Sequence, residues 1–284
     1  MKEYDFAFSC GYSCAVTEAL RAADLQFASF PFDWTASPGF RRCAKMIADD
    51  FKGWMEKDDL ELVDIRRRGI NKHVYLNRRT KFGFVHDFSS FKTFDESFSK
   101  VAQKYARRIE RLDAQLRQAK RVLAVCAEWP ILPRITDAEL EETREILQRK
   151  FPNAEFDLLY FHCEAGRKGS EVVRVGEHIT IVANDYRTFE YDEVNHEMDN
   201  AALIEYLKRE VRAVDPRSEE EKRKYTDDWK AQDRARWHGR NWLETFVNRT
   251  KFRHYRRLEK FLTAKGLVPR ERPMWILAPK IEER

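Results

Sequence analysis

Cys14 stands where a nucleophile would be presented. It follows the apolar run Phe6-Ala7-Phe8, a chain-breaking Gly11 and a polar Ser13, and it opens the helical pattern Ala15-Val16-Thr17-Glu18-Ala19-Leu20-Arg21. A thiolate at a helix amino terminus is stabilised by the helix dipole and by backbone N–H groups, which lowers a thiol pKa below its usual value of about 8.5. The same amides can stabilise an oxyanion. The chemistry that fits is attack of a thiolate on a carbonyl carbon, with Gly11 and Ser13 shaping the turn that presents it. The competing reading is a small packed side chain, the role open to the other cysteines at 10, 43, 126 and 163.

A thiol nucleophile needs a base, and histidine is the side chain whose proton is mobile near neutrality. Of seven histidines, His86 ends the apolar run that starts at Lys81, where a strand end can reach the crevice at the top of an α/β sheet. Asp87 adjoins it. Neighbouring strand residues face opposite ways, so Asp87 can assist His86 only if the chain turns there, and otherwise caps a turn. His162, which ends a second apolar run and precedes Cys163-Glu164, is the alternative base. His73, His178, His196, His238 and His254 read as surface or packing residues. Cys10 and Cys14 form C-x3-C without a second pair at zinc-ligand spacing, so no metal site is expected.

These residues need elements to hold them. Tyr4 to Ser9 reads as a strand and Ser13 to Arg21 as a helix with Ser13 as its N-cap. Leu25 to Trp34 is an aromatic-rich connection in which Phe27, Phe30, Phe32 and Trp34 surround Pro31 and Asp33, and Pro38-Gly39 closes it. Phe40 to Trp54 has an amphipathic helical pattern. Leu60 to Ile65, Lys72 to Leu76 and Lys81 to His86 read as strands, and Asp95 to Lys120 as a charged helix. Arg121 to Cys126, Thr136 to Lys150 and Phe156 to Phe161 then read as strand, helix and strand, with Thr136 and Glu139 forming a capping box. Nearly continuous apolar strands joined by a crossover helix belong at the centre of a parallel sheet. His178 to Ala183 adds a strand and Asn200 to Val211 a last helix. The fold class is α/β, a mostly parallel central sheet flanked by helices.

A hydrophobic share of 43% supports a packed core, and a charged share of 36% implies a densely charged surface. Two domains are expected, an α/β body over 1–216 and a basic helical extension over 217–284. Residues 217–272 hold 17 Lys and Arg against 9 Asp and Glu, interleaved with Trp229, Trp237, Trp242, Phe246, Phe252 and Tyr255. That pattern predicts amphipathic helices packed on the body through their aromatics, with Met274 to Leu277 as an edge strand. Such a surface suits the phosphates of a nucleotide-type donor, or peripheral contact with an anionic membrane. Nucleic acid is the less favoured ligand, because charged helices are usually solvated faces. A non-catalytic binding protein built on these helices is the competing functional class. No signal-peptide core follows Met1, and no run approaches the roughly 18 to 20 apolar residues of a spanning helix. Five scattered cysteines fit reduced thiols, so a cytoplasmic protein is expected. No pattern speaks to oligomeric state.

The run Phe8-Ser9-Cys10-Gly11-Tyr12-Ser13-Cys14-Ala15-Val16, then Leu20-Arg21, then Ser29-Phe30-Pro31-Phe32-Asp33-Trp34 resembles the opening of a bacterial family described as papain-like cysteine peptidases. Its members read S-L-G-x-x-C, a helix, and a P-F-D-W segment. Phe84-Val85-His86-Asp87-Phe88 is similar to the family's later His-Asp strand end. The resemblance implies a nucleophile at Cys14, a partner at His86, and a structural or site-lining role for Asp33 and Trp34. It further implies a setting in surface-polysaccharide biosynthesis, with acyl transfer from coenzyme A to a glycan or small-molecule substrate. Hydrolysis of such a donor and peptide cleavage are the alternatives. Cys10 stands where the family usually has Leu, and the papain signature with its upstream Gln is missing, which counts against proteolysis.

Overall fold

The structure, a computed structural model, describes residues 1–66, 72–128, 132–164, 167–184, 186–188, 196–198, 200–215, 217–223, 261 and 264–267. In chain order its elements are β1 (Lys2–Tyr4), β2 (Phe6–Ser9), α1 (Cys14–Ala22), β3 (Thr35–Ala36), α2 (Phe40–Ala48), β4 (Leu60–Arg66), β5 (Lys72–Asn77), β6 (Gly83–Ser89) and α3 (Phe94–Gln118). There follow β7 (Arg121–Ala127), α4 (Asp137–Lys150), β8 (Glu155–Cys163), β9 (Glu171–Val175), β10 (Ile179–Asn184), β11 (Tyr186–Thr188), β12 (His196–Met198), α5 (Asn200–Glu210) and β13 (Val211–Ala213). The chain divides into two units, Met1–Asp215 with Arg272–Arg284, and Pro216–Glu271.

The main sheet has the order β2-β7-β8-β10-β9, with the first four strands parallel and β9 antiparallel to β10. β7 and β8 are buried almost end to end, as continuous apolar runs require. Alternate residues of β8 serve two cores. Phe156, Leu158 and Tyr160 pack with α2, α3 and α4, whereas Leu159, Phe161 and Cys163 pack with α1 and α5. Thr136 and Glu139 form the expected capping box of α4, and Thr93 and Glu96 form one at α3.

The strand expected over Tyr4 to Ser9 is broken at Asp5. Its carboxylate accepts from the amides of Lys120 and Arg121 at 2.6 and 2.9 Å, and β1 leaves to pair with β13. The helix expected from Phe40 to Trp54 stops at Ala48. Asp50 and Phe51 take left-handed φ values of 50° and 56°, and the Phe51 amide donates to Met46 at 2.8 Å. Each such residue costs about 1 kcal/mol, but the turn carries Phe51 and Trp54 into a cluster with Phe32 and Phe82. Burying two large aromatics contributes about 2–3 kcal/mol each, so packing wins over helix continuation.

His86 is placed differently from the expectation. The strand does not end there; β6 runs on to Ser89, and it belongs to a second, antiparallel sheet of order β3-β6-β5-β4 rather than to the parallel one. The crevice rule for parallel sheets therefore does not apply to His86. A register shift opposite His73 to Tyr75 interrupts simple alternation along β6.

In the second unit, residues 219–223 are helical behind reciprocal hydrogen bonds between Ser218 and Glu221. The helices expected to carry Trp229, Trp237, Trp242, Phe246, Phe252 and Tyr255, and the strand at Met274 to Leu277, lie outside the described residues. No helix among the described residues is long and apolar enough to cross a membrane.

Candidate active site

α1 starts at Cys14, with Ser13 as its N-cap; the Ser13 hydroxyl accepts from the Ala15 amide at 3.3 Å. Gly11 is required by close approach, because a Cβ there would lie 2.5 Å from Cγ2 of the buried Val16. The turn is tied to the sheet by the amides of Cys10 and Tyr12, which donate to Val125 and Ala127, and by the Gly11 amide on Ser9 Oγ. The amides of Gly11, Tyr12 and Ala15 thus brace the turn rather than face a substrate. Cys14 follows the carboxyl end of β2 after the short turn of residues 10–13, on the edge where parallel α/β sheets hold ligands.

Cys14 is partly exposed, whereas Cys10, Cys43, Cys126 and Cys163 are at most 3% exposed. Burial, with the neighbouring Cys43 thiol second, pushes the Cys10 thiol well up, which removes it as a nucleophile at neutral pH.

Asp33 is fully buried and knits the P-F-D-W segment to α1. Oδ1 accepts from the Thr17 hydroxyl at 3.2 Å, and Oδ2 from Gln26 Nε2 at 2.7 Å and the Phe30 amide at 2.6 Å. Burial raises its pKa to about 6 against the pull of the Phe30 amide and the Arg108 and Arg21 charges. Gln26 also accepts from Arg21 Nε at 2.5 Å. Phe32 points into the aromatic cluster, and Trp34 turns out to be partly exposed. The Arg21 guanidinium lies over Trp34, 4.7 Å from its centroid, and His86 meets the same ring edge-on at 5.9 Å.

His86 is partly exposed, and Val85 before it joins the core that holds Tyr12 and Val16, the residues on either side of Cys14. Asp87 faces α3. Its carboxylate accepts from Lys104 Nζ and, at 2.7 Å, from the Tyr105 hydroxyl, so it neither caps a turn nor spends these bonds on His86. His162 is 6% exposed and alternates with Phe161 and Cys163, which puts it on the face of β8 away from α1. Tyr160 Oη lies 3.2 Å from its Nδ1, and Glu164 lies 3.4 Å from its Nε2.

Two groupings were not anticipated. Glu128, just past β7, is 2% exposed and accepts from the Phe40 amide at the start of α2 at 3.3 Å; the sequence signal was an acid ending an apolar strand. Glu155, Asp157 and His178 come close enough to share a metal ion. Asp157 there accepts from Tyr4 Oη at 2.6 Å, His178 Nδ1 at 2.8 Å and Lys2 Nζ at 3.2 Å, a set that satisfies the carboxylate from within the chain. A cavity of about 100 Å³ adjoins it, at the end of the sheet opposite Cys14.

A family model described as "Putative papain-like cysteine peptidase" matches residues 5–150. The chain belongs to this family. The span shared with the papain-like cysteine peptidase family runs to the end of α4, so it contains Cys14, Asp33, Trp34, His86, Asp87 and Glu128 and excludes His162. No curated protein and no solved structure matches the chain.

Proposed function

We propose that this papain-like chain is a cysteine-nucleophile acyl-transfer enzyme in which Cys14 attacks the acyl carbon and His86 moves the proton. The observation that carries the reading is Trp34, whose one ring touches both α1, through Arg21, and His86. The nucleophile's helix and the base then share a wall. Asp87 is a positioning residue that holds β6 against α3 beside His86. His162 is the less favoured candidate for the base, because its side chain faces the core opposite to α1.

In the first half-reaction Cys14 Sγ bonds to the acyl carbon as its proton passes to His86, the bond to the leaving group breaks, and His86 protonates that group. In the second, His86 takes a proton from an acceptor hydroxyl or water, whose oxygen displaces Cys14 and restores the thiol. Coenzyme A as donor leaving group, a glycan or small hydroxyl compound as acceptor, and a place in cytoplasmic surface-polysaccharide metabolism are our assignment. Peptide cleavage is the second reading, favoured by the description of the family.

Limiting iodoacetamide followed by peptide mapping tests the site. Cys14 is expected to be labelled first, at least about tenfold ahead of any other thiol, since the others are buried. His86→Gln is expected to slow that labelling at pH 7 by about tenfold or more by removing the base. Earlier labelling of Cys43 or Cys163, or an unchanged rate in the variant, would remove the assignment.

A further inference from the structure

We propose that Arg21 is the anchor for an anionic group of the substrate, a carboxylate or a phosphate, bound within about 10 Å, two helical turns, of the carbon that Cys14 attacks. The assignment rests on Cys14 being the nucleophile. Arg21 follows Cys14 by two helical turns in α1, so the two side chains lie on one helix face with about 10 Å of axial rise between them. Helical side chains lean toward the amino terminus, which aims Arg21 back along that face toward Cys14.

The guanidinium is held in place before any ligand arrives. Its Cζ lies over the Trp34 ring, 4.7 Å from the centroid, and its Nε is fixed by Gln26, which Asp33 in turn fixes at 2.7 Å. Among the described residues no hydrogen bond or ion pair reaches its two terminal nitrogens. Those nitrogens form a planar fork that matches two oxygens of a carboxylate or phosphate. Asp33 does not occupy them, because Gln26 stands between the two charges. A cation stacked, oriented and left with open donors on the nucleophile's face of the helix is built for an anion that comes and goes. A substrate of this class carries its negative charge away from the reacting carbonyl, and Trp34 packs against the apolar stretch between them.

Three iodoacetamides test this, alike except at the end of a tether reaching about 10 Å, which bears a carboxylate, a phosphate monoester or a neutral amide. The quantity read is the rate of Cys14 labelling by each anionic probe divided by the rate with the neutral one. In the native chain the ratio is expected to be several-fold to about tenfold at low salt, falling toward one in 1 M salt as the charges are screened. The faster anion names the group. In Arg21→Gln the ratio is expected to fall to about one, with Arg21→Lys between, because a ratio cancels any general change in thiol reactivity. A native ratio of one, or a preference that survives Arg21→Gln, overturns the anchor while leaving Cys14 as nucleophile. Failure of the neutral probe to label Cys14 at all overturns both.

Discussion

Cys14→Ser is expected to lower turnover of an acyl thioester at least about a thousandfold, a loss of roughly 4 kcal/mol of transition-state stabilisation, with the fold unchanged. A serine hydroxyl fits where the thiol sat and can keep the helix start intact, since Ser13, not residue 14, is the N-cap. Its proton is held far more tightly than a thiol's, so a histidine suited to a thiol does not remove it. Circular dichroism and a thermal melt of the variant separate loss of chemistry from loss of fold. Turnover within tenfold of the native chain would mean that the thiol is not the attacking group.

The second large effect falls on stability. Asp33→Ala removes the shared acceptor for Thr17, Gln26 and the Phe30 amide, and leaves buried donors unmet. A cost of about 3–5 kcal/mol follows, or roughly 5–10 °C in Tm for a chain of this length. Asp33→Asn keeps an oxygen for Phe30 and Gln26 and offers its amide to the Thr17 hydroxyl, so it should fold. The native carboxyl has its pKa raised from 3.8 to about 6 because burial disfavours its charge. Its stabilising contribution is therefore fully present below about pH 3.8 and is lost as pH rises through about 6, a change of about 3 kcal/mol. The asparagine variant should lack that pH dependence. Chemical denaturation of both chains from pH 4 to pH 7.5 checks it, and parallel profiles would count against a buried, titrating Asp33.

Local chemistry was legible in the sequence where the deciding forces are local. Ser13 caps α1 and Thr136 with Glu139 caps α4, since capping depends only on residues within three positions of one another. Arg121 to Cys126 and Phe156 to Phe161 were recognisable as central strands because burial on both faces leaves no polar alternation. Long-range pairing was not legible. Nothing in Lys81 to His86 says that its neighbours are β3 and β5 in a separate sheet, and the strand's true end at Ser89 depends on pairing with β5. The direction of Asp87 depends on Lys104 and Tyr105, which α3 supplies from 17 and 18 residues further along the chain. The stop of α2 at Ala48 likewise reflects the pull of an aromatic cluster on Phe51 and Trp54 rather than any breaker in the sequence. In the candidate site, the helix start at Cys14 and the Gly11 turn before it could be read directly, while the role of Asp33 as the knot between Thr17, Gln26 and Phe30 needed the folded chain.

The central claim, that Cys14 carries the acyl group, is tested most directly by trapping it. The protein is mixed with a small aryl thioester, quenched in acid within one turnover, digested with trypsin and mapped by mass spectrometry. Cys10 and Cys14 share the peptide from Glu3 to Arg21, so fragment ions must distinguish them. One acyl group on Cys14, labile to hydroxylamine and formed more slowly in His86→Gln, is the predicted result. Consumption of the thioester with the acyl group on another residue, or with none on Cys14, would contradict the account.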